Sequence, residues 1–390
     1  MKKICCLLLT AMMFLMSSCS IGSLFNKSEA VNNNVDAESR VINPTAVPSE
    51  EPSSVAVSNT VAEEENKYSE AADTLNQDGV VNDELVPAVV LGGIPDDTWI
   101  EDGSVPVMLY LRDKDGFIIP VTLRAVSQPA IAKLTLLKLI DDTANREELT
   151  KYGLYPTIPQ GTEVLGITIT NGIATVDFSG NFLNYKTEMD ERNMISSVVY
   201  TLTQFPSVTG VKIMYTGKRL TQMRFGTDTS GVLYKANTMV NSDKLNVTPG
   251  KEKQDIYVFR NSDESTAYCL PVSIEYDGNA DGANFNNTVG LLADFNRNGL
   301  ASLLPSGTKL IGSSVSKGTV TLNFSSDIRR YAGNMREQAI MRQLLYTFAQ
   351  YKGISNLRIL IEGSQNSVLP EGTDLSESFI VSKALNLIIE

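Results

Sequence analysis

Apolar and polar residues alternate in several stretches of the chain, which predicts half-buried β-strands. In the first half of the chain these stretches lie at 107–112, 117–126, 163–170, 173–178 and 211–215. Asp115-Gly116 separates the first two stretches, and Asn171-Gly172 separates the next two. Because both dipeptides favour tight turns, the pattern predicts two β-hairpins followed by a fifth strand.

Two further stretches have the composition or period of helices. Residues 129–141 are rich in Leu, Ile, Ala and Lys, and Pro129 suits a first helical turn. A longer helix follows the second hairpin, since apolar residues recur there at the spacing of one helical face: Ile195, Val198, Val199, Leu202 and Phe205. The predicted order is β-β-α-β-β-α-β, an α+β fold with one sheet and both helices packed on one of its faces.

This pattern occurs twice. Ile158-Pro159-Gln160-Gly161-Thr162 returns 146 residues later as Leu304-Pro305-Ser306-Gly307-Thr308, and the same offset carries Gly226-Thr227-Asp228 to Gly372-Thr373-Asp374. The beginnings of the copies match only after small insertions, with 108–112 set against 256–260 and the first helix against 287–295. We therefore expect two tandem domains of the same α+β fold, each of ordinary size.

The first residues have the organisation of a lipoprotein signal peptide. Lys2 and Lys3 precede an apolar run over 4–16, and Met16-Ser17-Ser18-Cys19 resembles a lipobox, in which the cysteine is lipidated and becomes the mature N-terminus. Ordinary signal cleavage, with an incidental Cys19, is the alternative. The expected organisation is a signal peptide (1–18), a disordered acidic tether rich in Ser, Asn and Pro (19–86), a first domain (87–235), a linker (236–254) and a second domain (255–390).

Composition narrows the function. The formal charge is -12 and the pI is about 4.7, which opposes binding to nucleic acid because phosphate backbones require a basic surface. The chain has no histidine, the commonest zinc ligand and the usual general base near neutral pH. We predict no catalytic, cofactor-binding or metal-binding residues, and we expect Cys269 to be buried as a small apolar side chain.

The repeated motifs resemble those of the GerM family of spore-formation and germination lipoproteins, whose repeating unit is the GerMN domain. The matching segments are 158–162, Val176-Asp177-Phe178-Ser179, 201–206 and Gly217. The second copy departs from the family pattern, with Asn323 in place of Asp177 and Lys352 in place of Pro206. The resemblance implies a fold similar to the ring-building domains of secretion channels and an assembly role in spore development. It also implies a lipid anchor on the outer face of the cytoplasmic membrane and contacts with other envelope or sporulation-channel proteins.

Several residues invite a chemical role but have a simpler explanation. Asp177 lacks a partner base, so a hydrogen-bonded turn is the preferred interpretation. An acid near the start of a helix, as at Glu191 and Glu337, is explained by the helix dipole. Two stretches mimic half of a calcium loop, Asp277-x-Asn279-x-Asp281-Gly282 and Asp294-x-Asn296-x-Asn298-Gly299, but neither has the closing Glu, and turns explain them. Recurrent turns of the repeated motifs are expected at the following residues: Gly161, Thr162, Gly226, Asp228, Gly307, Thr308, Gly372 and Asp374. The two Gly-Thr-Asp turns, which begin at Gly226 and Gly372, are candidate contact surfaces.

The leading hypothesis is a non-catalytic scaffold that acts through contacts of its paired domains; the sequence leaves its oligomeric state open. One alternative is a cell-wall hydrolase, since a glycosidase needs only two carboxylates. Another is a module that binds glycan or peptide. Such a module would need exposed aromatic residues, yet the single tryptophan, Trp99, precedes the repeated region.

Overall fold

The computed structural model describes residues 104–263, 266–277, 285–380 and 384–388. The expected signal peptide, Cys19 and tether lie outside the described residues, as does most of the first calcium-like stretch. No helix within the described ranges is both long enough and apolar enough to cross a membrane.

The first repeat, which we define as residues 104–247, begins with a long hairpin and continues with a small sheet flanked by helices. Its strands are β1 (Ser104–Arg112), β2 (Ile118–Val126), β3 (Val164–Thr170), β4 (Ile173–Phe178), β5 (Gly210–Tyr215), β6 (Lys218–Arg219) and β7 (Leu233–Tyr234). Its helices are α1 (Ile131–Leu137), α2 (Thr143–Leu149) and α3 (Glu188–Leu202).

The second repeat, residues 251–388, follows a similar order, but it has one helix where the first has α1 and α2, one short strand fewer at its end, and an additional short hairpin. Its strands are β8 (Lys251–Asp263), β9 (Thr266–Asp277), β10 (Asn296–Arg297), β11 (Leu300–Ala301), β12 (Leu310–Ser316), β13 (Thr319–Phe324), β14 (Asn356–Ile361) and β15 (Phe379–Ile380). Its helices are α4 (Phe285–Ala293) and α5 (Asn334–Phe348). The first four residues of β8 belong to the stretch that the sequence suggested as a linker.

The α+β class is confirmed, but each repeat contains two sheets where we expected one. The opening hairpins form separate sheets: β1 pairs with β2, and β8 with β9. The second of these sheets also contains the short hairpin, in the order β10-β11-β8-β9. The other two sheets run β3-β4-β5-β6, with β7 also paired with β5, and β12-β13-β14-β15. Within them β4 and β13 lie parallel to β5 and β14, as a strand-helix-strand crossover through α3 or α5 requires. The prediction missed this division because two hairpins have the same sequence pattern whether their strands belong to one sheet or to two.

Each repeat has one long helix, α3 or α5, at the centre of its core. In α3, Thr187 and Asp190 make a capping box, in which Asp190 N donates to Thr187 Oγ1 (3.0 Å) and Thr187 N donates to the Asp190 carboxylate (3.0 Å). The apolar face that the sequence predicted is buried at Ile195, Val198 and Leu202. β4 and β13 alternate between half-buried and fully buried positions along their whole length, which confirms the predicted period of two.

The helix predicted over 129–141 is shorter in the structure, α1 (Ile131–Leu137), and a helix that was not predicted, α2 (Thr143–Leu149), follows it. Asn145, in the first turn of α2, connects the two helices: its side-chain amide donates to Leu137 O (2.8 Å) and Ile140 O (2.9 Å), while its own N–H donates to Asp142 Oδ1 (2.8 Å). Carbonyls at the end of α1 and an N–H at the start of α2 thus find partners in one place. Composition alone did not indicate the break.

The alignment of 108–112 with 256–260 is wrong by one residue. Tyr110 pairs with Pro120 across the first hairpin, and Tyr257 pairs with Pro271 across the second. Tyr110 N donates to Thr201 Oγ1 (3.1 Å), and Tyr257 N donates to Thr347 Oγ1 (2.9 Å). Tyr110 is therefore equivalent to Tyr257, because a shift of one residue would turn the side chains to the opposite face of the strand.

Candidate functional site

The glutamates that recur in the long helices are fully buried. The Glu191 carboxylate accepts hydrogen bonds from Tyr185 OH (2.5 Å), Phe225 N (2.7 Å) and Thr227 N (3.2 Å). It lies in the first turn of α3, as expected, but the helix dipole is an incomplete explanation. Glu191 therefore holds the loop around Gly226 against the N-terminal end of α3.

Glu337 does the same in the second repeat. It accepts from Tyr331 OH (2.8 Å), Glu371 N (2.7 Å) and Thr373 N (2.8 Å), so the loop around Gly372 is anchored in the same way. Burial by itself would raise the pKa of Glu191, but hydrogen bonds from Thr227, Tyr185 and Phe225 outweigh it and lower that pKa. A carboxylate in this setting is a structural acceptor.

The turn residues singled out in the sequence lie in matched local structures. Thr162 Oγ1 donates to Pro159 O (2.7 Å), and Thr308 Oγ1 donates to Pro305 O (2.6 Å). Gly161 and Gly307 adopt φ of 76° and 80°, a region that favours glycine. The predicted residues thus form tight turns before β3 and β12.

The two Gly-Thr-Asp sequences also lie in turns. Gly226 and Gly372 have φ of 96° and 105°. Asp228 Oδ1 accepts from Ser230 N (2.8 Å), and Asp374 Oδ1 accepts from Ser376 N (2.9 Å). These carboxylates are exposed at equal places in the two repeats and bind their own backbone.

Asp177 has the hydrogen-bonding role that the sequence favoured. Both of its carboxylate oxygens lie 3.0 Å from Gly217 N, which donates to them in the turn after β5. In the second repeat Gly363 N donates to Asn323 Oδ1 (2.8 Å). An amide oxygen meets the same requirement as a carboxylate oxygen, which explains why Asn is accepted there.

The remaining candidates also have structural roles. The second calcium-like stretch forms the hairpin β10-β11, and Asn298 and Gly299 make its turn with φ of 55° and 72°, as a turn interpretation requires. Ser179 Oγ accepts from Glu163 N (2.9 Å). Cys269 is fully buried, as expected, and burial raises the pKa of its thiol to about 12. In the described ranges no three His, Cys, Asp or Glu residues are grouped closely enough to hold a metal ion.

The feature that sequence reasoning missed is the junction between the repeats. Asn241 follows the first repeat's sheet, and it accepts from Ile118 N (2.7 Å) while its amide donates to Ile118 O (2.8 Å) and to Pro271 O (2.8 Å). Ile118 belongs to β2, and Pro271 belongs to β9. One side chain therefore joins the hairpins of both repeats.

Asn386 makes an equivalent set of three hydrogen bonds in the opposite direction, from the second repeat to the first. It accepts from Cys269 N (3.1 Å), and its amide donates to Cys269 O (2.7 Å) and to Pro120 O (2.7 Å). Pro120 and Pro271 occupy equivalent positions in β2 and β9. The junction thus has an approximate two-fold symmetry, in which each asparagine binds its own repeat and the other one.

The residues next to these asparagines cross between the repeats. Ser273 N donates to Val240 O (3.0 Å) and Val240 N donates to Ser273 Oγ (2.9 Å). Thr122 N donates to Leu385 O (3.0 Å) and Leu385 N donates to Thr122 Oγ1 (2.9 Å). Each repeat therefore contributes a terminal segment that hydrogen-bonds to the opening hairpin of the other.

Charged groups are buried at the same junction. Asp255, on β8, accepts from Tyr200 OH (2.9 Å) and Ser273 Oγ (2.6 Å) and pairs with Lys253 Nζ (3.1 Å). Burial would raise the pKa of Asp255, but the ammonium groups of Lys253 and Lys235 and these hydrogen bonds outweigh it, so that its pKa lies below the ordinary value. Burial lowers the pKa of Lys235. The cluster is thus a buried ion pair supported by hydrogen bonds, and it stabilises the junction.

Another ion pair connects the two repeats directly. Arg260 Nε donates to Asp113 Oδ2 (2.5 Å), and Arg260 Nη2 donates to Asp115. Asp113 is fully buried and also accepts from Phe117 N (2.8 Å). With Tyr110 equivalent to Tyr257, Asp113 and Arg260 are equivalent positions that carry opposite charge. At this one pair of equivalent positions the two repeats are complementary in charge.

Comparison with known proteins identifies relatives of both repeats. A family model described as "Germane: Sporulation and spore germination" matches residues 108–221 and 256–367. The chain is 27% identical over 277 residues to "Spore germination protein GerM" of Bacillus subtilis (strain 168), covering 69% of this chain and 75% of that protein. The solved structure of the tandem GerMN domains of the sporulation protein GerM from Bacillus subtilis matches with a TM-score of 0.63 and 25% identity, covering 73% of this chain and 99% of that chain.

Proposed function

Because the chain belongs to the Germane family of sporulation and spore germination proteins, we propose that it serves this process as a non-catalytic scaffold of the cell envelope. Its paired domains bind other envelope or sporulation-channel proteins. The resemblance noted in the sequence is confirmed by the family match, and so is the tandem arrangement of GerMN domains. The scaffolding activity is our inference.

The junction between the repeats carries the proposal. Reciprocal bonds of Asn241 and Asn386 and the buried Asp255 cluster hold the repeats in one arrangement. A scaffold benefits from such rigidity, since a preformed surface loses less conformational freedom on binding. The acids that recur in the repeats support the same view, because Glu191 and Glu337 are buried and occupied by structural hydrogen bonds.

The N-terminal region completes the proposal. Lipidation of Cys19 would anchor the chain at the outer face of the cytoplasmic membrane, and residues 19–86 would act as the tether. A Cys19→Ala variant should lose lipid labelling and membrane association while its folded domains remain intact. A Cys269→Ala variant is the matched control, since that cysteine is buried in the second repeat.

The decisive experiment is a pull-down of the full chain from sporulating cells, with cross-linking before lysis. Enrichment of envelope or channel proteins by the wild type, and its loss in Cys19→Ala, supports an anchored scaffold. Purified domains should leave isolated cell wall undigested. Release of wall fragments by the purified protein would overturn the proposal in favour of a hydrolase.

A further inference from the structure

Among the described strands, β3 and β12 each have one free side. β3 is the first strand of the sheet β3-β4-β5-β6, and β12 is the first strand of β12-β13-β14-β15. The outer side of each strand makes no backbone hydrogen bond to any described residue. Both strands are therefore open edges at equivalent places in the two repeats.

The turns that follow these strands show which backbone groups point outward. β3 and β4 are joined by the two-residue turn Asn171-Gly172, so Thr170 and Ile173 form a hydrogen-bonded pair and every second pair does likewise. Ile167 and Ile169 then direct their N–H and C=O groups away from β4. By the same reasoning, Ser313 and Val315 direct theirs away from β13.

These edges also lack the usual protection. Natural edge strands are shielded by charged residues, especially lysine, or by proline. Neither β3 (VLGITIT) nor β12 (LIGSSVS) contains a charged residue or a proline. Instead, aliphatic side chains are exposed at positions that match between the repeats: Leu165 (49%) with Ile311 (52%), and Ile169 (42%) with Val315 (53%).

The residues that flank the two strands differ in charge. Glu163 precedes β3, whereas Lys309 precedes β12, and the turn after β12 contains Lys317 where the first repeat has Asn171. Antiparallel pairing of two β12 edges would bring Lys309 of each copy near Lys317 of the other. Antiparallel pairing of β3 with β12 brings Glu163 near Lys317, which is favourable.

We infer that the open edge of β3 binds the open edge of β12 in a second copy of this chain, as an antiparallel extension of both sheets. Main-chain hydrogen bonds of Ile167 and Ile169 supply the pairing, and the exposed aliphatic side chains pack alongside. Because each copy offers one edge of each kind, the contact is head-to-tail and extends to further copies. This inference rests on the proposed scaffold function and names one partner of it.

The test is sedimentation equilibrium of the purified chain without its signal peptide, over a wide range of protein concentration. The wild type should show a mass that rises beyond a dimer with concentration. Ile169→Lys should reduce association strongly, because it places a charge on the edge and leaves the bonds between β3 and β4 intact. Ile380→Lys is the matched control, since Ile380 is an exposed aliphatic residue (71%) on β15, away from the two edges.

Charge reversal provides a second measurement. Glu163→Lys should weaken association about two- to fivefold, and adding Lys317→Glu to it should restore the wild-type strength. A wild-type chain that remains monomeric, or an Ile169→Lys variant that associates as well as the control, would overturn the inference. If that happens while the pull-down still recovers envelope proteins, the scaffold function stands and its partners use another surface.

Discussion

Tyr200 donates its phenolic hydroxyl to Asp255 over 2.9 Å, and this hydrogen bond joins α3 of the first repeat to β8 of the second. Lys253 Nζ donates to the same hydroxyl (2.6 Å) and to Thr238 O (3.0 Å). Asp255 pairs with Lys253 (3.1 Å), and the nearby ammonium group of Lys235 also helps to keep its carboxyl ionised. Its removal leaves positive charge without a counter-ion.

We predict that Asp255→Ala lowers the free energy of unfolding by about 3 to 5 kcal/mol, since breaking a buried ion pair leaves an uncompensated charge. Asp277→Ala is the matched control on the same hairpin. Asp277 pairs with Lys251 but its side chain is 88% exposed, so the expected loss is at most about 1 kcal/mol. Urea denaturation of both variants measures the difference; equal losses would show that the buried cluster adds nothing to stability.

The two asparagines of the junction give a second prediction. Asn241 has a φ of 52° and makes three hydrogen bonds through its side chain, so Asn241→Gly keeps the backbone conformation and removes those bonds. The expected loss of stability is about 3 kcal/mol, at about 1 kcal/mol for each bond. Asn171→Gly is the control for positive φ, because Asn171 lies in an ordinary hairpin turn at 51°.

Asn386→Gly should lower the free energy of unfolding by a similar amount. The double variant should lose less than the sum of the two, since both residues stabilise one interface and its opening removes both sets of bonds. Strict additivity in a double-mutant cycle would show instead that the two asparagines act independently.

Acid should weaken the attachment of the loop around Gly226. The pKa of Glu191 is lowered in the folded state, so its contribution to stability is present above the pKa of the unfolded chain and is lost as the pH falls through the folded pKa. Glu191→Gln should therefore lower the free energy of unfolding by about 1 to 3 kcal/mol at neutral pH, with a smaller difference from wild type under acid conditions.

Urea titrations between neutral and acid pH measure this dependence. Glu188→Gln is the control, because Glu188 lies in the same helical turn but its side chain is 64% exposed in a pair with Arg192. A constant gap between Glu191→Gln and wild type at every pH would contradict a role for the charge.

Asp177 should tolerate amidation. The second repeat makes the same contact with Asn323, so Asp177→Asn should change stability by no more than about 0.5 kcal/mol. Asp177→Ala should cost more, because Gly217 N then loses its acceptor. Thermal unfolding of the two variants distinguishes the cases, and a sporulation defect in Asp177→Asn without a loss of stability would indicate a chemical role for the acid.

The sequence predicted the parts of the fold in which one side of an element is buried. β4 alternates in burial along its length, and α3 has a clear apolar face, so both were found from their periods. The opening hairpin differs, because Leu109, Tyr110 and Leu111 of β1 are all buried in succession. A strand covered on both faces has no period of two, which explains the alignment error of one residue at Tyr110.

The junction between the repeats was still harder to predict from the sequence. Asn241 and Asn386 lie far from Pro271 and Pro120 in the chain, and nothing local distinguishes them from turn asparagines. Their recurrence at nearly the repeat offset was the available signal. The buried acids Asp113 and Asp255 could not be recognised either, because a charged residue in a strand is usually exposed and only the packed structure shows its counter-ion.

Thr122 and Leu385 are hydrogen-bonded across a separation of 263 residues. The first repeat therefore cannot complete its own hydrogen bonding during synthesis until almost all of the second has emerged. Contacts this distant in sequence form slowly, because a long loop must close first. A chaperone that shields β2 during that interval would speed maturation, and a nonsense mutation just before Leu385 would damage the repeat that was made first.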